Sequence, residues 1–239
     1  MHRTIAAALG AALLATTAAA APVCVPTLAP ERIGTLDGKL LPEASGLAVS
    51  RQFPGRLYHN NDSGDGPFFY LTDMTGGAAQ KVAVAGFTPQ DVEDVAIGPC
   101  GAQSCLYLGD TGDNLSRRKS VAFVLVPEKA TFAATEQPLR IIEARYPDGA
   151  HDAEAFAIHP NGDLYLITKP FDTRQRKAGI AQIFRLTAAQ LADGSGKLQT
   201  FAAVGEVDLP WLLWWYGVPG QVGLPLWGDP VSMLVHGGI

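Results

Sequence analysis

The sequence predicts an all-β protein, and three observations carry that expectation. Short runs rich in Val, Ile, Tyr and Phe recur along the chain, separated by Gly, Pro, Asn and Asp. Helix-period stretches are nearly absent; only "LTAAQLADG", residues 186–194, reads as one helical turn or two, which argues against alternating strand–helix units. Third, one unit occurs three times. Its copies open with "EASGLAVS" (43–50), "DVEDVAIG" (91–98) and "DAEAFAIH" (152–159). Each has an acid first, then Ser45, Glu93 or Glu154 in third position, then a small-apolar strand. After a turn come "LYHNND", "LYLGD" and "LYLITK"; after a polar loop come "PFFYLTD", "VAFVLVPE" and "AQIFRLT". The copies stand roughly 50 to 60 residues apart, the range of a propeller blade. Similarity across several strands and a loop favours a β-propeller of antiparallel blades over a β-sandwich, with about three to four blades present.

The elements follow in chain order. Residues 1–21 read as a signal peptide: Arg3, an apolar Ala/Leu-rich stretch, then small residues offering cleavage near Ala20 or Ala21. The run is too short to span a bilayer comfortably, so no transmembrane segment is expected and the protein is placed outside the cytoplasm, secreted or periplasmic. Cys24 follows "APV", which lacks the small residue that lipid attachment needs. Residues 31–41 are a candidate outer strand of a closing blade. Residues 22–208 then hold the blades. Cys100 and Cys105 bracket "GAQS", a spacing that closes a small disulfide in an oxidising compartment. Beyond Asp208 the composition changes: all four tryptophans (Trp211, Trp214, Trp215, Trp227) lie in residues 209–239, where Asp229 and His236 are the only acid or base. That stretch carries no blade pattern. It reads as an apolar tail, or as a truncated or frame-altered end, and as a site of self-association.

Chemistry enters through the acids. Of the 239 residues 17% are charged, and the net charge is −5, with no basic excess for nucleic acid. Asp91 and Glu93, like Asp152 and Glu154, stand two apart and share a strand face. With Glu43 they are expected to converge at the mouth of the central channel, where close carboxylates need a hard cation or a raised pKa. The loops "NNDSGDG" (60–66) and "GDTGDN" (109–114) add Asp62, Asp110 and Asp113, with glycines turning carbonyls inward. Neither matches an EF-hand. Calcium is the implied ion, held by Glu43, Asp62, Asp91, Asp110, Asp113 and Asp152. Glu93 and Glu154 are then the candidate general bases. Basic clusters "SRRK" (116–119) and "TRQRK" (173–177) follow second strands and belong on the same face. Arg117, Arg118 and Lys169 are the candidates for binding an anionic substrate. No Ser/His/Asp constellation, nucleophile elbow, P-loop or dinucleotide fingerprint is present.

"EASGLA", "NDSG", "DVED", "LYLGDTGDN", "YPDGAHDAEA" and "LYLITK" together resemble a family of secreted bacterial propeller proteins labelled phytase-like or esterase-like, by relation to the calcium-dependent β-propeller phytases. The similarity covers roughly residues 43–186. It implies a calcium-dependent hydrolytic face lined by the acids named above, acting on a small anionic ester or phosphoester. The alternative is a non-catalytic, calcium-stabilised binding module.

Overall fold

The computed structural model describes residues 31–62, 64–172 and 177–209; the targeting segment, positions 173–176 of the second basic cluster and the Trp-rich tail from 210 lie outside them. The described strands belong to the compact unit that begins at Ile33. They are β1 (Ala44–Val49), β2 (Arg56–Asn61), β3 (Phe68–Asp73) and β4 (Gln80–Val84), then β5 (Val92–Cys100), β6 (Gln103–Asp110), β7 (Val121–Pro127), β8 (Thr135–Glu136) and β9 (Arg140–Arg145). β10 (Ala153–Ile158), β11 (Leu164–Thr168), β12 (Phe171–Asp172), β13 (Lys177–Ala178) and β14 (Ile180–Leu186) follow. The helix α1 (Ala188–Ala192), β15 (Gln199–Thr200) and β16 (Ala202–Asp208) end the described chain. The fold is all-β, as the sequence predicts.

Three sheets carry it. The first is ordered β1-β2-β3-β4-β8, the second β5-β6-β7-β9-β15 and the third β10-β11-β14-β16, with β12–β13 a separate hairpin. None closes on itself. Each begins with the strand that opens a repeat. The outermost strands of the first two sheets are short parallel additions from later in the chain, β8 beside β4 and β15 beside β9. Successive units are therefore laced together at their outer edges as well as packed face to face.

Strand alternation explains the packing. Leu106 and Leu108 of β6 face the first sheet, meeting Tyr58, Phe69 and Val82, while Tyr107 between them faces the third, among Phe156, Leu164 and Phe184. The second sheet is thus buried on both sides. Each such aromatic or branched side chain contributes roughly 1.5–3 kcal/mol on leaving water. The first strands of the three sheets are spatial neighbours, β1 against β5 and β5 against β10. Two glycines, Gly98 of β5 and Gly109 of β6, let β10 approach the second sheet closely. A Cβ at Gly109 would lie 2.6 Å from the Phe156 ring, and one at Gly98 would lie 2.2 Å from Ile158.

At the end away from the repeat acids, Ser50 Oγ and Ser104 Oγ each donate to the buried Glu128 carboxylate at 2.5 Å, clasping the first sheet to the second. Cys100 and Cys105 form the expected disulfide across the β5–β6 hairpin, whose Gly101 takes the positive φ that a two-residue turn needs. The short helix appears where the sequence places it. Thr187 accepts from Gln190 N–H while the Gln190 side chain accepts from Thr187 N–H, a reciprocal cap. The expected outer strand at 31–41 does not form: these residues contain no strand, and Thr35 N–H donates to Thr75 O instead. Gly34, Gly38 and Pro42 interrupt the alternation a ladder requires.

Candidate functional site

In each sheet the first strand bulges at the same place. Pairing slips between Ala44 and Leu47, between Val92 and Asp94, and between Ala153 and Ala155. The third-position residues of the repeat (Ser45, Glu93 and Glu154) sit at these slips. A bulge places an extra residue opposite one partner and re-aims its side chain. Asp91 and Glu93 converge as their two-residue spacing predicts, with Asp91 directly preceding β5 and Glu93 lying at its register slip.

Asp62, Asp91 and Glu93 come together, with one oxygen from each within 4.8 Å of the others. Glu93 is almost fully buried; Asp62 and Asp91 are half-buried. Asp91 Oδ1 and Glu93 Oε2 are buried without a hydrogen-bond partner. The loop after β6 presses its backbone onto them: a Cβ at Gly112 would stand 2.3 Å from both Asp91 Oδ2 and Glu93 Oε1. Glu154 lies within hydrogen-bond reach of Glu93.

The remaining acids are held differently. Asp110, buried, accepts the backbone N–H of Asp91 at 2.7 Å and Arg118 Nη1 at 3.0 Å. Asp113 Oδ2 accepts the Arg118 N–H, and Asp113 N–H donates to Asp152 Oδ1, both at 2.7 Å. Asp152 and Glu154 share the Lys169 ammonium. Glu43 is exposed and contributes its backbone, accepting from Asp62 N–H at 2.9 Å. Of the candidate cations, Lys169 and Arg118 are thus ion-paired inside the acidic group, and Arg117 is exposed.

The electrostatics follow. Burial is the main cause that raises Asp91 to about 6, with the charges of Asp62, Asp152 and Glu154 adding to it and Arg118 opposing it. Burial, then Glu154, Asp62 and Asp91, push Glu93 well above the carboxylate range. Asp152 is raised by burial, against the pull of the Asp113 N–H and Lys169. Carboxylates outnumber the two half-buried cations, Arg118 and Lys169, so the repulsion among them favours bound protons or another cation.

The donor set fits calcium on that ground. It is all oxygen, as a hard cation prefers, and two of its buried oxygens lack a partner, a costly state that a cation relieves. Sequence reasoning missed the groups that position the cluster. Asn60 Oδ1 accepts Gly46 N–H at 2.9 Å while its Nδ2 donates to Val92 O at 2.8 Å, joining β1 to β5. Asp94 accepts the N–H groups of Val95 (2.7 Å) and Phe156 (3.0 Å), and Thr111 Oγ1 donates to Ala153 O, joining the second sheet to β10. Asp94 is the last letter of "DVED"; a second adjacent acid was the available signal.

Fold and site together define an all-β protein of stacked sheets with a partly buried, all-oxygen acidic cluster at one end of the β1 and β5 strands. The chain matches no family model and no curated protein.

Proposed function

We propose that the protein is a calcium-dependent ester hydrolase of the phytase-like or esterase-like propeller kind, with the three sheets as blades and a phosphoester as the favoured substrate. The carrying observation is the convergence of Asp62, Asp91 and Glu93 with two buried carboxylate oxygens unpartnered. These residues would hold the ion. Bound calcium supplies Lewis acidity toward an anionic ester and toward water. Glu154, beside the cluster and tied to Lys169, is then the carboxylate placed to take a proton. Asp110, Asp113 and Asp152 orient the loop and its cations, and Arg117 is the exposed cation at the same loop. The signal-like segment supports a secreted or periplasmic location, and among the described residues no helix is long and apolar enough to cross a membrane.

One observation favours a second reading, a calcium-stabilised binding module without turnover. Lys169 and Arg118 are engaged by carboxylates and present less charge to an anion than the sequence implies. Turnover of a panel of phosphoesters and carboxyl esters, with calcium and with chelator, separates the two. Phosphoester turnover that chelator abolishes and calcium restores supports the hydrolase. A calcium-raised melting temperature with no turnover of any ester supports the binding module.

A further inference from the structure

The repeat sets two acid pairs in equivalent places, Asp91 with Glu93 where β5 begins and Asp152 with Glu154 where β10 begins. Glu93 and Glu154 both lie at register slips. What completes each pair differs. The first meets Asp62, from the preceding unit. The second meets the ammonium of Lys169, which is ion-paired with Glu154 and stands 3.4 Å from Asp152 Oδ2, all three side chains being largely shielded from solvent. Among the described residues, the buried carboxylate oxygens without a hydrogen-bond partner belong to the first pair alone: Asp91 Oδ1 and Glu93 Oε2.

Lys169 and Asp62 occupy the same position of the repeat. Each comes five residues after the leucine of "LY", as Thr111 does in the second unit. The backbone agrees. Asp62 N–H donates to Glu43 O at 2.9 Å and Lys169 N–H to Asp152 O at 2.8 Å, each to the acid that opens its own unit. Thr111, fully buried, donates from Oγ1 to Ala153 O at 2.8 Å and so lies beside the second pair. That pair has a threonine where its counterpart has the Asp62 carboxylate. One pair gains a third carboxylate; the other gains a cation of the chain's own.

We propose that Lys169 is the resident second cation of the cluster, a tethered ammonium seated where a second calcium ion would otherwise bind, and that it limits the cluster to one ion. The proposal rests on the reading of Asp62, Asp91 and Glu93 as a calcium site. An ammonium brings one charge and three donors without uptake from solution, so Asp152 and Glu154 are compensated at every calcium concentration. A hard cation that needs many oxygen ligands is then drawn to the pair that has three carboxylates. Removing the Lys169 charge leaves two shielded carboxylates uncompensated, a strongly destabilising state that a cation from solution relieves.

Isothermal titration of calcium chloride into the chelator-treated full-length chain tests it, with wild type, Lys169→Met, Lys169→Arg and Lys197→Met in parallel. Lys197 is exposed in the loop between α1 and β15, and its replacement removes the same charge. Lys169→Met is expected to bind one more ion per chain than wild type. Lys169→Arg and Lys197→Met are expected to bind the wild-type number. In chelator Lys169→Met is expected to melt below wild type, and calcium to raise its melting temperature by more. A Lys169→Met chain that binds no more ions than wild type overturns the proposal and leaves the calcium site standing. So does an equal gain in Lys197→Met. Where Lys169→Met is unfolded in chelator, circular dichroism during the titration decides: recovery of the wild-type spectrum supports the proposal, and a chain still unfolded in saturating calcium overturns it. A wild type that binds no calcium overturns the site itself, and this proposal with it.

Discussion

The loop after β6 shows how much one residue can decide. Gly109 and Gly112 are both glycine for reasons of space: the first admits the Phe156 ring, the second admits two carboxylates. Gly109→Ala should cost about 1–3 kcal/mol in an overpacked core, equally with and without calcium. Gly112→Ala should instead abolish calcium's effect on the melt, because its Cβ enters the cluster. Comparing calcium-dependent melting of the two variants checks the distinction. The acids make a pH prediction. Asp91 and Glu93 have folded pKa values above their unfolded ones, so the folded protein binds their protons more tightly. Their contribution is fully present below about pH 4 and is lost as pH rises through about 6 and beyond. In chelator, stability should therefore fall across this range. In saturating calcium the fall should be absent or reversed, because the ion replaces the protons. Glu93→Gln should raise the melting temperature of the metal-free protein at pH 8 and remove the calcium shift.

At the scale of elements, the strands were legible because their alternation and turn residues are local signals. The repeat located all three first strands, and the helix-period stretch at residues 186–194 marked the helix. The bulges were not legible. Nothing in "DVED" distinguishes a regular strand start from one in which Glu93 drops out of register, since the slip is set by pairing with Asp110 and Gly109 in a distant segment. The same holds for the roles of the acids. Composition nominated a set of ligands, but Lys169 and Arg118 claim several of them through contacts 5 to 17 residues away in sequence. Asp94→Ala tests the joint between sheets. It strips acceptors from the Val95 and Phe156 N–H groups and should cost about 1–3 kcal/mol by denaturant unfolding. Cys100→Ser with Cys105→Ser should cost about 2 kcal/mol, the entropy of so short a closed loop, and leave calcium binding intact.

For the whole molecule, the sheets do two things at once. Face-to-face stacking buries the second sheet on both sides and brings β1, β5 and β10 together, so that acids far apart in sequence share one small volume. The core supplies the free energy that holds like charges close, and a divalent ion bound as proposed would offset the repulsion that remains. The central claim is that Asp62, Asp91 and Glu93 bind calcium. Isothermal titration of calcium chloride into chelator-treated, dialysed protein near pH 7 tests it most directly, alongside Asp91→Asn with Glu93→Gln. The expected result is saturable binding by the wild type with release of protons to the buffer, and its loss in the double variant. A wild type that shows no binding heat, or a double variant that binds as tightly as the wild type, would contradict it.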